Sequence, residues 1–341
     1  MIIDVHGHVT APPEVYGHQA RLLADRGCFG RPTLKLTDDR VRQVVQPHLE
    51  AIDEVGIELQ LISPRPYIMA HAQTPHKIVQ WFTEEVNNLI ARHVEMYPDR
   101  FQGVAGLPQG PDVEPAKWLP ELERCVTELG FVGALVNPDP AEGMGHVPPM
   151  GDRYWYPLYE KLVELDCPIL LHSSGCNNGR ESYSNHFITE GSIALLSLIE
   201  SDVLADFPEL KIISGHGGGS VPYQIGRWRA TRVRYEPKRE SFDDSLRRFW
   251  FDTALYNVES VEFLLRMVGA DRCLLATEIP GTGSERDPAT GFWYDDVKRL
   301  IDSIGWLTDG DRDLVYERNA LEVFPRLAAR LGATKAGDPG V

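Results

Sequence analysis

Met1-Ile2-Ile3-Asp4-Val5-His6-Gly7-His8 opens the chain. It reads as a buried strand of apolar and β-branched residues that ends in His-x-His. Side chains alternate along a strand, so residues two apart share a face and both imidazoles leave the strand end in the same direction. Neutral imidazole nitrogen suits borderline cations such as zinc, and a glycine between two histidines suits a place where a ligand approaches the backbone closely. Taken alone, the pair also reads as two unrelated surface histidines near a terminus. The rest of the chain decides between these readings.

Seven further apolar runs follow, at residues 59–63, 101–107, 131–137, 168–172, 210–216, 249–253 and 273–278. Each leads through Gly, Pro, Asn or Ser into a helical pattern. Helices are expected near 38–55, 75–97, 115–129, 153–165, 190–206, 220–235, 258–268 and 291–303, with a last one near 310–331. Near-continuous apolar strands alternating with amphipathic helices indicate a parallel sheet covered by helices, and eight such units predict an α/β fold of the (β/α)8 barrel type. The runner-up is an open doubly wound sheet, although no Gly-x-Gly-x-x-Gly follows the first strand. With no repeat, low-complexity tract or linker, residues 1–341 are expected to form one domain. The stretch 9–37, rich in Pro and Gly, reads as an insertion that is either a lid, a dimer contact or a solvated excursion.

Composition narrows the function classes. The chain has 341 residues, 43% hydrophobic and 25% charged, an ordinary soluble balance with material for a large core. Its net charge of −16 argues against nucleic acid or an anionic membrane as partner. An anionic carboxylate substrate must then be held by local arginines. Five cysteines, Cys28, Cys125, Cys167, Cys176 and Cys273, are scattered without a CxxC pair, and no signal peptide precedes the first motif. That pattern predicts a reducing cytoplasm. No apolar run approaches the length of about 20 residues that a membrane span needs.

Barrel enzymes place their chemistry at strand C-termini. His6 and His8 end the first strand, His172 the fifth, His216 the sixth and Glu278 the eighth. Four imidazoles and a carboxylate on one rim suit a divalent cation held by three or four protein ligands, with a position left for water or substrate. Singly, His172 also reads as a core histidine and Glu278 as a loop charge; together at strand ends they read as a site.

These stretches resemble the amidohydrolase superfamily, specifically its amidohydrolase-2 branch of mononuclear decarboxylases and hydratases, over essentially the whole chain. Within the branch the likeness is to hydratases of 4-oxalomesaconate-type substrates in aromatic acid breakdown. It runs through residues 1–8, Ser63-Pro64-Arg65 with Met69-Ala70-His71, Asn137-Pro138-Asp139-Pro140, His172 with Cys176-Asn177, His216-Gly217-Gly218-Gly219 with Val221-Pro222-Tyr223, and Thr277-Glu278 with Asp287-Pro288 and Gly291. Most of the superfamily has Asp at the eighth strand, whereas the hydratase resemblance carries Glu. The resemblance implies His6, His8, His172 and Glu278 as ligands of one zinc ion, with His216 as an acid/base beside them. Gln46-Pro47-His48 and the loop 178–191 depart from the hydratase pattern.

Hydration of a conjugated keto acid requires a nucleophile or general base, an acid for the adjacent carbon, and cations for the carboxylates. Glu278, His216 and Cys176 are the candidate catalytic groups, the cysteine having a buried inert role as its alternative. Arg65, at the end of the second strand, is the first candidate carboxylate clamp because guanidinium pairs with carboxylate bidentately. Its alternative is a structural ion pair inside the barrel. Arg180 and Arg286 in rim loops are further candidates for substrate binding, with Tyr183 and Asn177 as neutral donors. The amides of Gly217–Gly219, leading to a helix expected from Ser220, offer either an anion site or only a tight turn. Asp252-Thr253 and Trp155-Tyr156 read as packing or support. The expected activity is a hydratase acting as a homodimer, then a non-oxidative decarboxylase of an aromatic or muconate-type acid, then a zinc hydrolase of a lactone, ester or amide.

Overall fold

The computed structural model describes residues 1–145 and 147–337, with side chains through residue 332. Eight parallel strands follow one another around a single sheet in chain order: β1 (Ile3–His8), β2 (Leu59–Ser63), β3 (Phe101–Gly106), β4 (Gly133–Val136), β5 (Ile169–Leu171), β6 (Ile212–Ser214), β7 (Phe249–Asp252) and β8 (Cys273–Leu274). The seam between last and first strand is closed by backbone bonds from Val5 N to Leu275 O (3.0 Å) and from Glu278 N to His6 O (2.6 Å). This is a (β/α)8 barrel. A doubly wound sheet would reverse its strand order partway, and no reversal occurs here.

Both faces of the strands are buried, which is why they read as unbroken apolar runs. Ile3, Val5, Leu61, Leu170 and Ile213 point inward to a core that Phe324 and Leu327 close from the C-terminal segment. The opposite faces pack against the helices. Gly133 is needed at this closure, because a Cβ there would lie 2.9 Å from the Phe324 ring.

Among the helices, α1 (Pro13–Asp25), α2 (Asp38–Glu54) and α3 (His76–Met96) precede α4 (Leu119–Thr127), α5 (Tyr156–Glu164) and α6 (Tyr183–Ile199). The stretch 9–37 is not a solvated excursion: α1 buries Val15, His18 and Leu22 and packs against α3, where Lys77 Nζ donates to Gly27 O (3.0 Å). The helix expected at 190–206 starts earlier, at Tyr183, because the Ser182 hydroxyl accepts from Asn185 N and caps it. The helix expected from Ser220 starts at Ile225, and that expected from 291 starts at Val297. The last expected helix is broken into segments, with a bend before Pro325. Strand β8 ends at Leu274 rather than Glu278, since Thr277 and Glu278 turn to bond Asp4 and His6. Among the described residues no helix is long and apolar enough to cross a membrane.

Candidate metal centre and active-site pocket

The site starts from Asp4, buried in the middle of β1. Its carboxylate accepts from His6 N (3.0 Å), Gln60 Nε2 (2.8 Å), Thr277 N (3.1 Å) and Thr277 Oγ1 (2.5 Å), so it ties β1, β2 and the end of the eighth strand together. Burial pushes this carboxyl up to about 6 despite those donors. Gly7 makes way for Gln60 rather than for a ligand: a Cβ on Gly7 would lie 2.2 Å from Gln60 Cδ. That corrects the expectation drawn from the His-Gly-His spacing. The direction expected of the two imidazoles holds, with ring centroids 5.1 Å apart at the strand end.

Each histidine of the cluster is oriented through its δ nitrogen. His6 Nδ1 lies 2.7 Å from Asp252 Oδ2, and His172 Nδ1 lies 2.7 Å from Ser173 O. His8 Nδ1 lies 3.0 Å from Ser63 Oγ, whose own proton goes to Gly7 O (3.1 Å), so the histidine is the donor. These partners place the proton on Nδ1 and leave the lone pair on Nε2 in all three rings, the pattern that outer partners impose on metal-binding histidines. Among the described residues, Nε2 of His6 is buried without a hydrogen-bond partner. Glu278 Oε1 stands 3.8 Å from His8 Nε2 and 3.7 Å from His172 Nε2. The four donor atoms of His6, His8, His172 and Glu278 lie within 4.8 Å of one another. Such separations are too long for hydrogen bonds and match ligands that share one ion at about 2.0–2.2 Å each. The donor set therefore fits a divalent cation.

The electrostatics agree with that fit. Burial lowers His6 and His8 to about 3, so both rings are neutral at ordinary pH. Burial alone would raise the Glu278 carboxyl, but its contacts with His172 and His8 more than offset this and hold it well below the usual carboxylate range. Tyr256 donates its hydroxyl to Glu278 Oε2. Glu278 (φ 66°), His216 (φ 51°) and Tyr256 (φ 58°) all adopt left-handed backbone. Non-glycine residues in that region concentrate at functional sites held in place by their surroundings. Gly281 accommodates the turn, since a Cβ on it would lie 2.3 Å from Glu278 O.

His216 sits beside the cluster, with Nε2 3.3 Å from His172 Nε2 and its ring stacked on Phe187. Burial lowers it to about 4. The glycines that follow serve the turn and not an anion. Gly217 N donates to Asp252 Oδ1 (3.1 Å), Gly218 N to Gly215 O (3.1 Å) and Gly219 N to His216 O (3.2 Å), so their amides are already used. Asp252 is thereby the support it was expected to be, holding both His6 and the turn after His216.

A pocket of about 190 Å³ opens over Glu278, His8 and His172, and Arg65, Tyr183 and Phe187 line it. Arg65 donates from Nη2 to Pro280 O (3.0 Å), and among the described residues no carboxylate lies within ion-pair distance of it. The structural ion pair considered for Arg65 is therefore not formed there. Burial and the nearby Glu278 raise the Tyr183 phenol, which keeps its proton.

Six of the expected residues do not line this pocket: His6 and His216 belong to the histidine cluster beside it, and four others lie elsewhere. Arg286 pairs with Glu54 (2.7 Å) and stacks over Trp293. Asn177 donates to Glu142 Oε2 (2.8 Å), and Arg180 is exposed on the loop. Cys176 Sγ lies near Asn178 O (3.8 Å) and Glu181 O (3.9 Å) and does not line the pocket. Trp155 packs on Trp118, and Tyr156 donates to Asp206, so both are structural as expected. Sequence reasoning missed Tyr256, Phe187 and Tyr67, the last also lining the pocket, and Asp4, although a carboxylate inside an apolar strand was a visible signal.

The family model for amidohydrolases matches residues 3–326. The 2-keto-4-carboxy-3-hexenedioate hydratase of Sphingobium sp. is 38% identical over 98% of this chain and 98% of its own length. The gamma-resorcylate decarboxylase of Polaromonas sp. is 29% identical over 84% of this chain and 88% of that one. The crystal structure of 4-oxalomesaconate hydratase from Rhodopseudomonas palustris superposes with a TM-score of 0.90 at 36% identity, covering 98% of this chain and 99% of that chain. A dihydroxybenzoic acid decarboxylase from Polaromonas sp., solved with bound manganese, shares the fold with a TM-score of 0.69 at 24% identity, covering 95% and 96%. With the family model spanning nearly all of the barrel and its rim histidines, the chain belongs to the amidohydrolase family.

Proposed function

We propose that this enzyme is a metal-dependent lyase, a hydratase that adds water across the C=C of an unsaturated oxo-polycarboxylate of the 4-oxalomesaconate type. The observation that carries the reading is the divided Glu278 carboxylate: Oε1 faces His8 and His172 while Oε2 accepts from Tyr256. One group can thus hold a cation and move a proton at the same place. The near full-length likeness to two hydratases supports the choice over other lyases. In this reading zinc is the resident ion, since three imidazoles and a carboxylate are ordinary zinc donors. Free cysteines and the acidic composition support a cytoplasmic enzyme, which we take to be a homodimer.

A bound divalent cation supplies Lewis acidity, which makes water a stronger acid. Arg65 receives a substrate carboxylate with its planar fork, and the Tyr183 hydroxyl donates a second hydrogen bond. Glu278 Oε2 takes a proton from water as the C–O bond forms, then delivers it to the adjacent carbon as the π bond is lost. Tyr256, donating to the same oxygen, holds the carboxylate in line. His216, whose Nε2 lies 3.3 Å from His172 Nε2, serves as the second proton carrier. Phe187 and Tyr183 cover the pocket and limit access of bulk water.

Decarboxylation of an aromatic acid is the second reading, favoured by the Polaromonas relative. Incubation with 4-oxalomesaconate and with 2,6-dihydroxybenzoate separates the two. Loss of the conjugated chromophore without CO₂ is expected; CO₂ release with no hydration product would replace the hydratase by the decarboxylase.

A further inference from the structure

The first turns of α6 separate two pockets. Tyr183 and Phe187 line the catalytic one, whereas Glu190 lines another of about 230 Å³, together with Asp139 and Glu181. Nothing in the hydratase reading uses this second group. At its centre is His186, fully buried. Its Nδ1 lies 3.2 Å from Glu181 Oε1, while Nε2 has no hydrogen-bond partner among the described residues and stands 3.6 Å from Asp139 Oδ2. Donor atoms of Asp139, His186 and Glu190 lie within 4.8 Å of one another. Asp139 is itself held in place, accepting from Ala141 N (3.1 Å) and Gly143 N.

Two features point to a cation between these groups. His186 Nε2 stands 3.6 Å from Asp139 Oδ2, longer than the about 2.7–2.9 Å of a charge-assisted hydrogen bond and within the separation that two ligands of one ion keep. A histidine with one nitrogen on a carboxylate and the other aimed into a carboxylate pair has the arrangement of a metal ligand. Among the described residues, no lysine or arginine pairs with Asp139 or Glu190. Burial, and then the neighbouring Asp139, push the Glu190 carboxyl up to about 7, a repulsion that a cation would relieve.

We propose that Asp139, His186 and Glu190 form a second divalent-cation site, separate from the centre at His6, His8, His172 and Glu278, which ties α6 to the loop after β4. One imidazole and two carboxylates suit a first-row ion such as manganese or zinc. The inference does not rest on the hydratase reading, because its readout is metal content.

Chelator-treated protein is equilibrated with Mn²⁺, and bound metal is measured per chain. The wild type is expected to hold two ions. His186→Ala and Glu190→Gln are each expected to hold one at the same free Mn²⁺, and so is the double variant His6→Ala, His8→Ala. In that double variant, Mn²⁺ should slow amide hydrogen exchange in residues 181–190. Glu190 is only half-buried, so its variant reports even where His186→Ala fails to fold. Saturation of the wild type at one ion, or two ions retained in Glu190→Gln, would overturn the proposal, as would unchanged exchange over 181–190 on adding Mn²⁺.

Discussion

The two oxygens of the Glu278 carboxylate have different partners, Oε1 facing His8 and His172 and Oε2 accepting from Tyr256, and the residue is held in left-handed backbone. Glu278→Gln is expected to keep the fold and much of the metal while turnover falls by about 10²-fold or more, the usual loss for a general acid/base. Glu278→Asp should also be poor, because drawing the carboxylate back by about 1 Å misplaces it. Near-full hydration by the Asp variant in steady-state assays would remove Glu278 from proton transfer. Arg65 makes a different prediction. Among the described residues its guanidinium donates to Pro280 O and reaches Tyr67 Oη (3.5 Å) but pairs with no carboxylate, so Arg65→Ala should weaken substrate binding by about 2–5 kcal/mol, the range for losing one side of a buried charged pair. Lys at this position lacks the planar fork and should restore little. An unchanged KM in both variants would show that Arg65 does not touch substrate. The residues that carry these predictions were legible because histidine, arginine and glutamate at strand ends stand out in an apolar pattern. Tyr256 was not, since it lies in a loop and its role depends on a backbone angle that composition does not encode. Arg286 and Asn177 were misassigned for the converse reason: loop residues of suitable chemistry found local partners, Glu54 and Glu142, that no spacing reveals.

At the scale of elements, strands were easier to read than their ends. The apolar runs predicted all eight, because both faces of a barrel strand must be buried. The extension of β8 to Glu278 failed since Asp4 captures Thr277, a contact between opposite ends of the chain. The start of α6 was legible after all in Ser182, whose hydroxyl caps it. Helix α2 carries a further prediction through His48, which bridges Thr10 Oγ1 (3.0 Å) and Gln60 Oε1 (2.7 Å) beneath β1. Burial lowers this imidazole from 6.5 to about 3. The unfolded chain therefore binds a proton that the folded one refuses, and the stability lost through His48 grows as pH falls from 6.5 toward 3. Asp4, pushed up to about 6, acts in the opposite sense, its stabilising protonation being lost as pH rises through 6. A comparison of variants separates them. Between about pH 7 and about pH 5, the wild type should lose about 2 kcal/mol relative to His48→Gln, at about 1.4 kcal/mol per pH unit. Urea unfolding of both proteins at the two pH values measures it, and parallel behaviour would mean that His48 is protonated in the folded state.

For the whole molecule, the centre at the rim joins parts of the chain that are distant in sequence: the end of β1, the end of β5 and the turn after β8 where the barrel closes. His6 and His8 are desolvated and neutral while Glu278 is charged and buried, so without a cation the site leaves imidazole lone pairs facing one buried carboxylate oxygen. A cation that binds only the folded barrel adds stability by mass action, about 4 kcal/mol when its free concentration is about 1,000 times Kd. Spread over a chain of this length, that corresponds to a Tm change of several degrees, since each 1 kcal/mol moves a domain of 150–250 residues by about 2–4 °C. Chelation should thus lower Tm by several degrees, and zinc or manganese should restore it. The measurement is best made in Glu190→Gln, where the second proposed site is disabled and the shift reports the His6 centre alone. Adding His172→Ala to that background should abolish the response to chelator while leaving circular dichroism unchanged, because the barrel's apolar core does not depend on the rim ligands. If instead Tm were the same with and without chelator, the four donors would be a self-sufficient polar cluster, and the metal-dependent chemistry assigned to Glu278 would have no foundation.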